Sequence, residues 1–337
     1  MTFAPGWMLW FGLFLIVSAL GTWLARHYAL QRRMLDQPGE RRSHTVATPR
    51  GGGISIAIAL LIALCTLIVR MPSTFVTMSL AALGLVLVAG IGWIDDHRPL
   101  SVIPKLSVHI LASLSLSAGI VLGGGSLGCG LVVFISGLVL INIWNFMDGI
   151  DGLAASQAGL AAVFFLLFAG AGNVVHLGLA LVAAICGFLP FNLPTAKIFL
   201  GDVGSGALGY ALALMAGLAM ERMPVEIWPL LLLPLSAFLL DAGLTLLSRM
   251  LRGERWWTPH VEHAYQRWAR RSRSHGRVTM AYAVWTMMAM AGGGLFGGND
   301  SRGNAMLVLA WFGIGGASWY WLRSRPDSGH SDSGVKP

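Results

Sequence analysis

The chain has 337 residues, of which 55% are hydrophobic and only 11% charged, and its net charge is +8. A soluble domain carries about 25% charged residues, so this composition, with a mean hydropathy of +0.69, excludes an ordinary soluble protein. Repeated apolar runs of about 20 residues predict an all-α, polytopic membrane bundle, and their continuous rather than alternating character excludes a membrane barrel.

Eleven spans are predicted in chain order: about 7–25, 53–70, 75–94, 102–122, 127–144, 154–171, 174–191, 205–221, 226–249, 278–297 and 304–322. The segments on one side hold only Arg70, Arg222 and Arg302, and the other side holds the remaining 20 of the 23 Lys and Arg. By the positive-inside rule the basic side is cytoplasmic, with the N-terminus periplasmic and the C-terminus cytoplasmic. The basicity is therefore chiefly a topology signal that also serves anionic substrates or lipid headgroups, and no nucleic-acid partner is expected. The first run lacks a basic segment before it and reads as a retained span rather than a cleaved signal. Residues 1–325 are expected to form one integral-membrane domain, and the Ser/Gly/Asp-rich stretch 326–337 a disordered tail. Cys65, Cys129 and Cys186 form no C-x-x-C pair, so neither zinc nor a disulfide framework is indicated.

The polar residues fall in clusters on the basic side. The loop Arg26–Gly53 has six arginines and ends in T-P-R-G-G-G, where Gly51, Gly52 and Gly53 allow close backbone approach to a neighbour or an anion. Arg50 is a substrate-binding candidate there; a flexible hinge is the bland reading. Asp95 and Asp96 end the third span, an unfavourable place for acid in the helix dipole. They read as a metal or proton-transfer site with Lys105 as phosphate-directed charge, or as a solvated helix end.

The stretch Asn142–Ala154, N-I-W-N-F-M-D-G-I-D-G-L-A, sets two asparagines and two aspartates between apolar runs. Read as a helix, it puts Asn142, Asn145, Asp148 and Asp151 on one face, as oxygen ligands for a hard cation; the alternative is a polar loop. In F-N-L-P-T-A-K-I-F-L-G-D-V-G-S-G, Gly201, Asp202 and Ser205 open the eighth span. A Gly-rich turn opening a helix offers backbone N–H groups to phosphate, and Asp202 can hold its metal; a plain helix cap is the alternative. Lys197 adds a point charge.

Asp241 is the acid deep in a span, either functional or hydrogen-bonded inside the bundle. The last basic loop, Arg249–Arg277, carries eight arginines, Trp256-Trp257 at the expected membrane interface, and P-H-V-E-H-A-Y-Q-R-W. His263 there is a phosphate partner, an acid/base, or a solvated loop histidine; His260 and His263 lack a third ligand for zinc.

Together these motifs resemble the polyprenyl-phosphate N-acetylhexosamine-1-phosphate transferase family, also called glycosyltransferase family 4. The match rests on T-P-R-G-G-G (48–53), D-D (95–96) with Lys105, N-F-M-D-G-I-D-G-L-A (145–154), F-L-G-D-V-G-S (199–205) and H-A-Y-Q-R (263–267). The resemblance implies a bacterial inner-membrane enzyme with its site facing the cytoplasm. It would transfer an N-acetylated sugar 1-phosphate from a UDP-sugar to undecaprenyl phosphate, releasing UMP. It implies Mg²⁺, or Mn²⁺ in its place, held chiefly by Asp202 with Asn145 nearby. Asp95, Asp96 and His263 are then the catalytic candidates, and Asp95 and Asp96 handle the lipid phosphate or its proton. Asp148, Asp151 and Asn192 lie near the nucleotide. Tyr265 and Gln266 stand where many relatives have histidines, which resembles the subgroup that initiates O-antigen or capsule chains with donors such as N-acetylfucosamine or N-acetylquinovosamine. A homodimer is left open. Two competing readings are a CDP-alcohol phosphotransferase, whose signature arginine is missing after D-G-I-D-G-L-A-A, and a secondary transporter coupled through Asp241. Transporters bind near the midplane, whereas the acids here gather at one face.

Overall fold

The computed structural model describes residues 5–37, 46–170, 172–255, 258 and 260–325. The expected tail 326–337 and the Trp256-Trp257 pair lie outside the described residues. The apolar runs fold as helices α1 (Pro5–Gln31), α2 (Ile54–Arg70), α3 (Phe75–His97), α4 (Val102–Leu122), α5 (Leu127–Phe146), α6 (Leu153–Ala169), α7 (Asn173–Asn192) and α8 (Gly201–Met220). A 3₁₀ segment, Val225–Leu235, leads into α9 (Ser236–Leu251), followed by α10 (Ala264–Ser272), α11 (His275–Phe296) and α12 (Ser301–Ser324).

Among the described residues, nine helical segments are long and apolar enough to cross a membrane, one of them the 3₁₀ segment joined to α9. The protein is thus an all-α polytopic membrane bundle. The other two predicted spans, α2 and α6, have 17 residues each. At 1.5 Å per residue that is about 25 Å, short of a hydrocarbon core of about 30 Å. Both have many buried residues, so neighbouring helices, not lipid, cover much of their apolar surface.

α8 is the axis: every residue from Val203 to Met220 is buried. Its apolar surface runs all round, so it packs helices on every side, among them α2, α3, α5 and α6. Glycines make that crowding feasible, as small residues do in membrane helix pairs. A Cβ at Gly53 would overlap Gly204 Cα, one at Gly92 would fall on the Val203 backbone, and one at Gly209 on the Leu140 carbonyl.

The T-P-R-G-G-G turn is stitched to the segment entering α8 rather than serving as a hinge. Phe199 N donates to Pro49 O (2.8 Å), Gly52 N to Phe199 O (2.9 Å) and Gly53 N to Leu200 O (2.8 Å). Thr48–Pro49 also pairs antiparallel with Leu35–Asp36, a two-stranded ribbon.

A continuous helix through Asn142–Asp151 does not form. α5 stops at Phe146, α6 begins at Leu153, and residues 147–152 turn, with Gly152 at φ 73°. Where α5 ends, the Tyr265 hydroxyl donates to the Phe146 carbonyl at 3.0 Å, capturing an end group the helix itself leaves unpaired, and Gly152 supplies the left-handed residue from which α6 starts.

Replacing Gly53 with Ala forces backbone against backbone where neither side can yield by rotating a side chain. We expect Gly53→Ala to lose about 1–3 kcal/mol, read as a lower thermal midpoint of the purified protein, whereas Gly243→Ala, inside α9 where an added Cβ meets nothing within 4 Å, should not lower it.

Candidate active site

The clusters at residues 48–53, 95–105, 145–152, 192–205 and 263–275 meet at one end of the bundle, around the first turn of α8. Asp96, at the end of α3, is 3% exposed. Its Oδ1 accepts Asp202 N at 3.0 Å and its Oδ2 accepts Val203 N at 3.2 Å. An acid misplaced at one helix C-terminus is thereby satisfied at another helix's N-terminus. Gly201 leaves the room: a Cβ there would strike the Asp96 carboxylate.

Asp95 points elsewhere. Its Oδ1 accepts Leu100 N (2.7 Å), and its Oδ2 meets Lys105 Nζ (3.2 Å), which also reaches Asp202 Oδ2 (3.0 Å). Lys105 therefore bridges two carboxylates from separate segments. Asn145 Nδ2 donates to Ser205 Oγ at 3.2 Å, which sets its carboxamide beside Asp202.

Two cavities flank this cluster. The smaller, about 250 Å³, is polar and is lined by Arg50, Asp96, Asp148, Asp151, Asn192 and Gly201 among others. Asp148 sits there beside Asp202, Asp96 and Asp151. Burial first, and then those three carboxylates, push its pKa well above the usual carboxylate range. Asp151 and Asn192 are held by backbone: Asp151 Oδ2 accepts Ala196 N (3.1 Å), and Asn192 bonds Gly152 N (3.1 Å) and Ile198 O (3.0 Å). They join the 147–152 turn to the 192–200 loop and so form the cavity wall. His275, which the sequence reading passed over, lies 3.1 Å from Asp151 Oδ1 and lines the same cavity. Asp36 lines it too. Neither carried a sequence signal, since they fall within the long basic stretches Arg26–Gly53 and Arg249–Arg277. Lys197 is exposed and lines neither cavity; its carbonyl accepts from Arg26 Nε at 3.2 Å.

The larger cavity, about 710 Å³, is mostly apolar and runs along α3, α4 and α5; its polar lining includes Lys105, His109, Asn142, Asn145, His260 and His263. Asp202 and Gln266 line both cavities and mark their junction.

His263 is not a solvated loop histidine. It is 2% exposed, and its Nδ1 lies 3.8 Å from Asp241 Oδ1. Gln266 Oε1 accepts His263 N at 3.3 Å, closing the start of α10. Burial, with His263 and Arg249 nearby, lowers the His260 pKa to about 4.

Asp241 resolves as a structural acid. Its carboxylate accepts Ala264 N (2.7 Å), Tyr265 N (3.0 Å), Tyr282 Oη (2.7 Å) and Thr245 Oγ1 (3.3 Å). With four donors in place it is not the free coupling group a transporter needs.

The donors around Asp202 are hard oxygens, of Asp202, Asp95, Asn145 and Ser205, the chemistry that suits Mg²⁺. Among the described residues no three Asp, Glu, His or Cys form a metal cage. Mg²⁺ does not need one, because it commonly binds through one or two carboxylates plus substrate phosphates. The residues therefore fit the ion.

A family model described as Glycosyl transferase family 4 matches residues 77–220, which takes in Asp95, Asp96, Lys105, Asn145 and Asp202. The chain is 27% identical to a decaprenyl-phosphate N-acetylglucosaminephosphotransferase of Mycobacterium tuberculosis, covering 80% of this chain and 77% of the relative. It is 28% identical to a probable undecaprenyl-phosphate N-acetylglucosaminyl 1-phosphate transferase of Bacillus subtilis, covering 75% and 74%. It is 30% identical to a phospho-N-acetylmuramoyl-pentapeptide-transferase of Clostridioides difficile, covering 59% of this chain and 70% of the relative.

A carboxyl whose folded pKa is raised destabilises the fold progressively as pH climbs above its unfolded value. For Asp148 the direction is upward, so Asp148→Asn should raise the thermal midpoint of the substrate-free protein most at pH 8. The gain should shrink steadily toward pH 4. A gain that is constant across that range would show that Asp148 is ionised without penalty.

Proposed function

The chain belongs to glycosyl transferase family 4, the polyprenyl-phosphate hexosamine-1-phosphate transferases, and on that premise we propose that it transfers an N-acetylated amino-sugar 1-phosphate from a UDP-sugar to undecaprenyl phosphate. The product UMP leaves, at the cytoplasmic face of a bacterial inner membrane, and the lipid-linked sugar starts an O-antigen or related surface polysaccharide. The observation that carries this reading is the junction at Asp202 and Gln266, where an apolar cavity of about 710 Å³ meets a polar one of about 250 Å³. One suits a prenyl chain, the other a nucleotide sugar.

The reaction joins two anions, so positioning and charge neutralisation matter more than covalent catalysis. An oxygen of the lipid phosphate attacks the phosphorus attached to the sugar. The bond from that phosphorus to the oxygen bridging the UMP phosphorus breaks, and UMP departs with the electron pair. The sugar C1–O bond is untouched, so the anomeric configuration is retained. Mg²⁺, held by Asp202 with Asn145 nearby, would neutralise the donor diphosphate when bound. Lys105, held between Asp95 and Asp202, brings a positive charge to the point where two phosphates converge. Asp95 keeps that ammonium in place, and Asp96 holds α8 so that Asp202 faces both cavities. His263 and Gln266 close the site from the α10 side. Arg50 and Asp148 face the donor in the polar cavity. Gln266, where many relatives carry histidine, meets the donor at the junction, which favours a specialised amino sugar.

Purified protein given Mg²⁺ and undecaprenyl phosphate should release UMP with at least one donor from a panel of UDP-N-acetylated amino sugars, and chelation should stop it. Silence across the panel would sink the reading. Asp202→Asn should lower turnover by about 100-fold or more, on the scale of losing one key electrostatic group, with its thermal midpoint preserved.

A further inference from the structure

α4 carries Lys105 and His109 four residues apart, so both side chains stand on one face about 6 Å apart along the axis. Opposite them, α5 carries Asn145 and Asn142. The two helices thus present two polar rungs to the larger cavity. The rung at the helix ends holds Lys105, Asn145 and Asp202. The rung one turn deeper holds His109 and Asn142, against apolar wall residues such as Leu106 and Val139.

His109 is physically out of place there. It is 8% exposed, and its Nδ1 is buried with no hydrogen-bond partner among the described residues. A buried polar atom without a partner is costly and uncommon, and a leucine would fill the same wall without that cost. Asn142 lies within hydrogen-bonding reach of the ring, but its Nδ2 already donates to Leu138 O at 2.7 Å. On the deeper rung it is His109 whose ring nitrogen, Nδ1, is left without a partner among the described residues.

We infer that His109 is the membrane-side half of the seat for the acceptor's phosphomonoester. It donates a ring N–H to a phosphate oxygen, while Lys105 meets the same phosphate from the other rung. This rests on the transferase reading above. A phosphomonoester has three non-ester oxygens, more acceptors than one ammonium can satisfy. A phosphate lying between the rungs reaches both, with its prenyl chain continuing along the apolar wall beyond His109. The two rungs then also set the depth of the phosphate relative to Asp202.

The test is equilibrium binding to the full-length protein in nanodiscs, with undecaprenyl phosphate, undecaprenol and inorganic phosphate as separate probes. The parent should prefer undecaprenyl phosphate to undecaprenol. His109→Leu should weaken undecaprenyl phosphate by about tenfold or more, the range of a hydrogen bond to a charged group, and leave undecaprenol unchanged. His109→Gln, which keeps an N–H donor, should fall between them, and it carries the comparison if the leucine variant does not fold. Undecaprenyl phosphate binding that is unchanged in both variants overturns the inference and leaves the transferase reading standing. Equal weakening of both lipids means that His109 only packs, and also overturns it. Inorganic phosphate competing as well as the lipid phosphate reassigns the seat to free phosphate. A parent that does not discriminate phosphate from alcohol fails the transferase reading itself.

Discussion

The first turn of α8 rests on one contact, the Asp96 carboxylate against the backbone N–H groups of Asp202 and Val203. A helix entering a bundle presents unpaired donors. A carboxylate from the end of α3 serves them, at the position where its own helix disfavours it. Because α8 is buried along its length, fixing its start fixes where Asp202 stands relative to Lys105 on α4 and Asn145 on α5.

The same device recurs on the other side of the site. Asp241, within α9, accepts the first backbone N–H groups of α10, and Tyr265, the second residue of α10, reaches across to the last carbonyl of α5. Asp241 therefore fixes both the wall that holds His263 and Gln266 and the point at which α5 yields to the 147–152 turn. Two buried acids, on α3 and α9, thus anchor the starts of α8 and α10. Asp202 and Gln266, which line both cavities, come from the two helices so anchored.

This arrangement explains why a small set of charges suffices. Lys105 lies between Asp95 and Asp202, so in the absence of substrate each charge has a partner. Asp148 differs: three other carboxylates surround it in the polar cavity, so it gains most from any cation or hydrogen-bond donor that enters. The apolar cavity is bounded by helices that cross the membrane, and the polar one by loops and helix ends. Their meeting point is where a headgroup at the end of a long chain can face a water-soluble partner.

Several features were determined by the sequence alone. Continuous apolar runs require helices in lipid, because backbone groups there must be satisfied within the segment. Acids gathered at the basic ends of those runs marked the clusters that the fold brings together around the first turn of α8. These are local properties, carried by each residue and its near neighbours. Only the tertiary structure decided what each acid contacts. Asp95 and Asp96 are adjacent in the chain, yet one holds a lysine and the other a helix start. Asp241 was ambiguous until its four donors came into view, and His263 stood between a phosphate partner, an acid/base and a solvated loop histidine until its burial excluded the last. Asp151 and Asn192, expected near the nucleotide, line the polar cavity and also join the 147–152 turn to the 192–200 loop. His109 had the visible spacing of four from Lys105, but only the fold shows that its Nδ1 is buried without a partner among the described residues. The reason is physical: a polar side chain's role is set by the donor, acceptor or charge facing it, and here that group commonly lies tens to more than a hundred residues away in the chain.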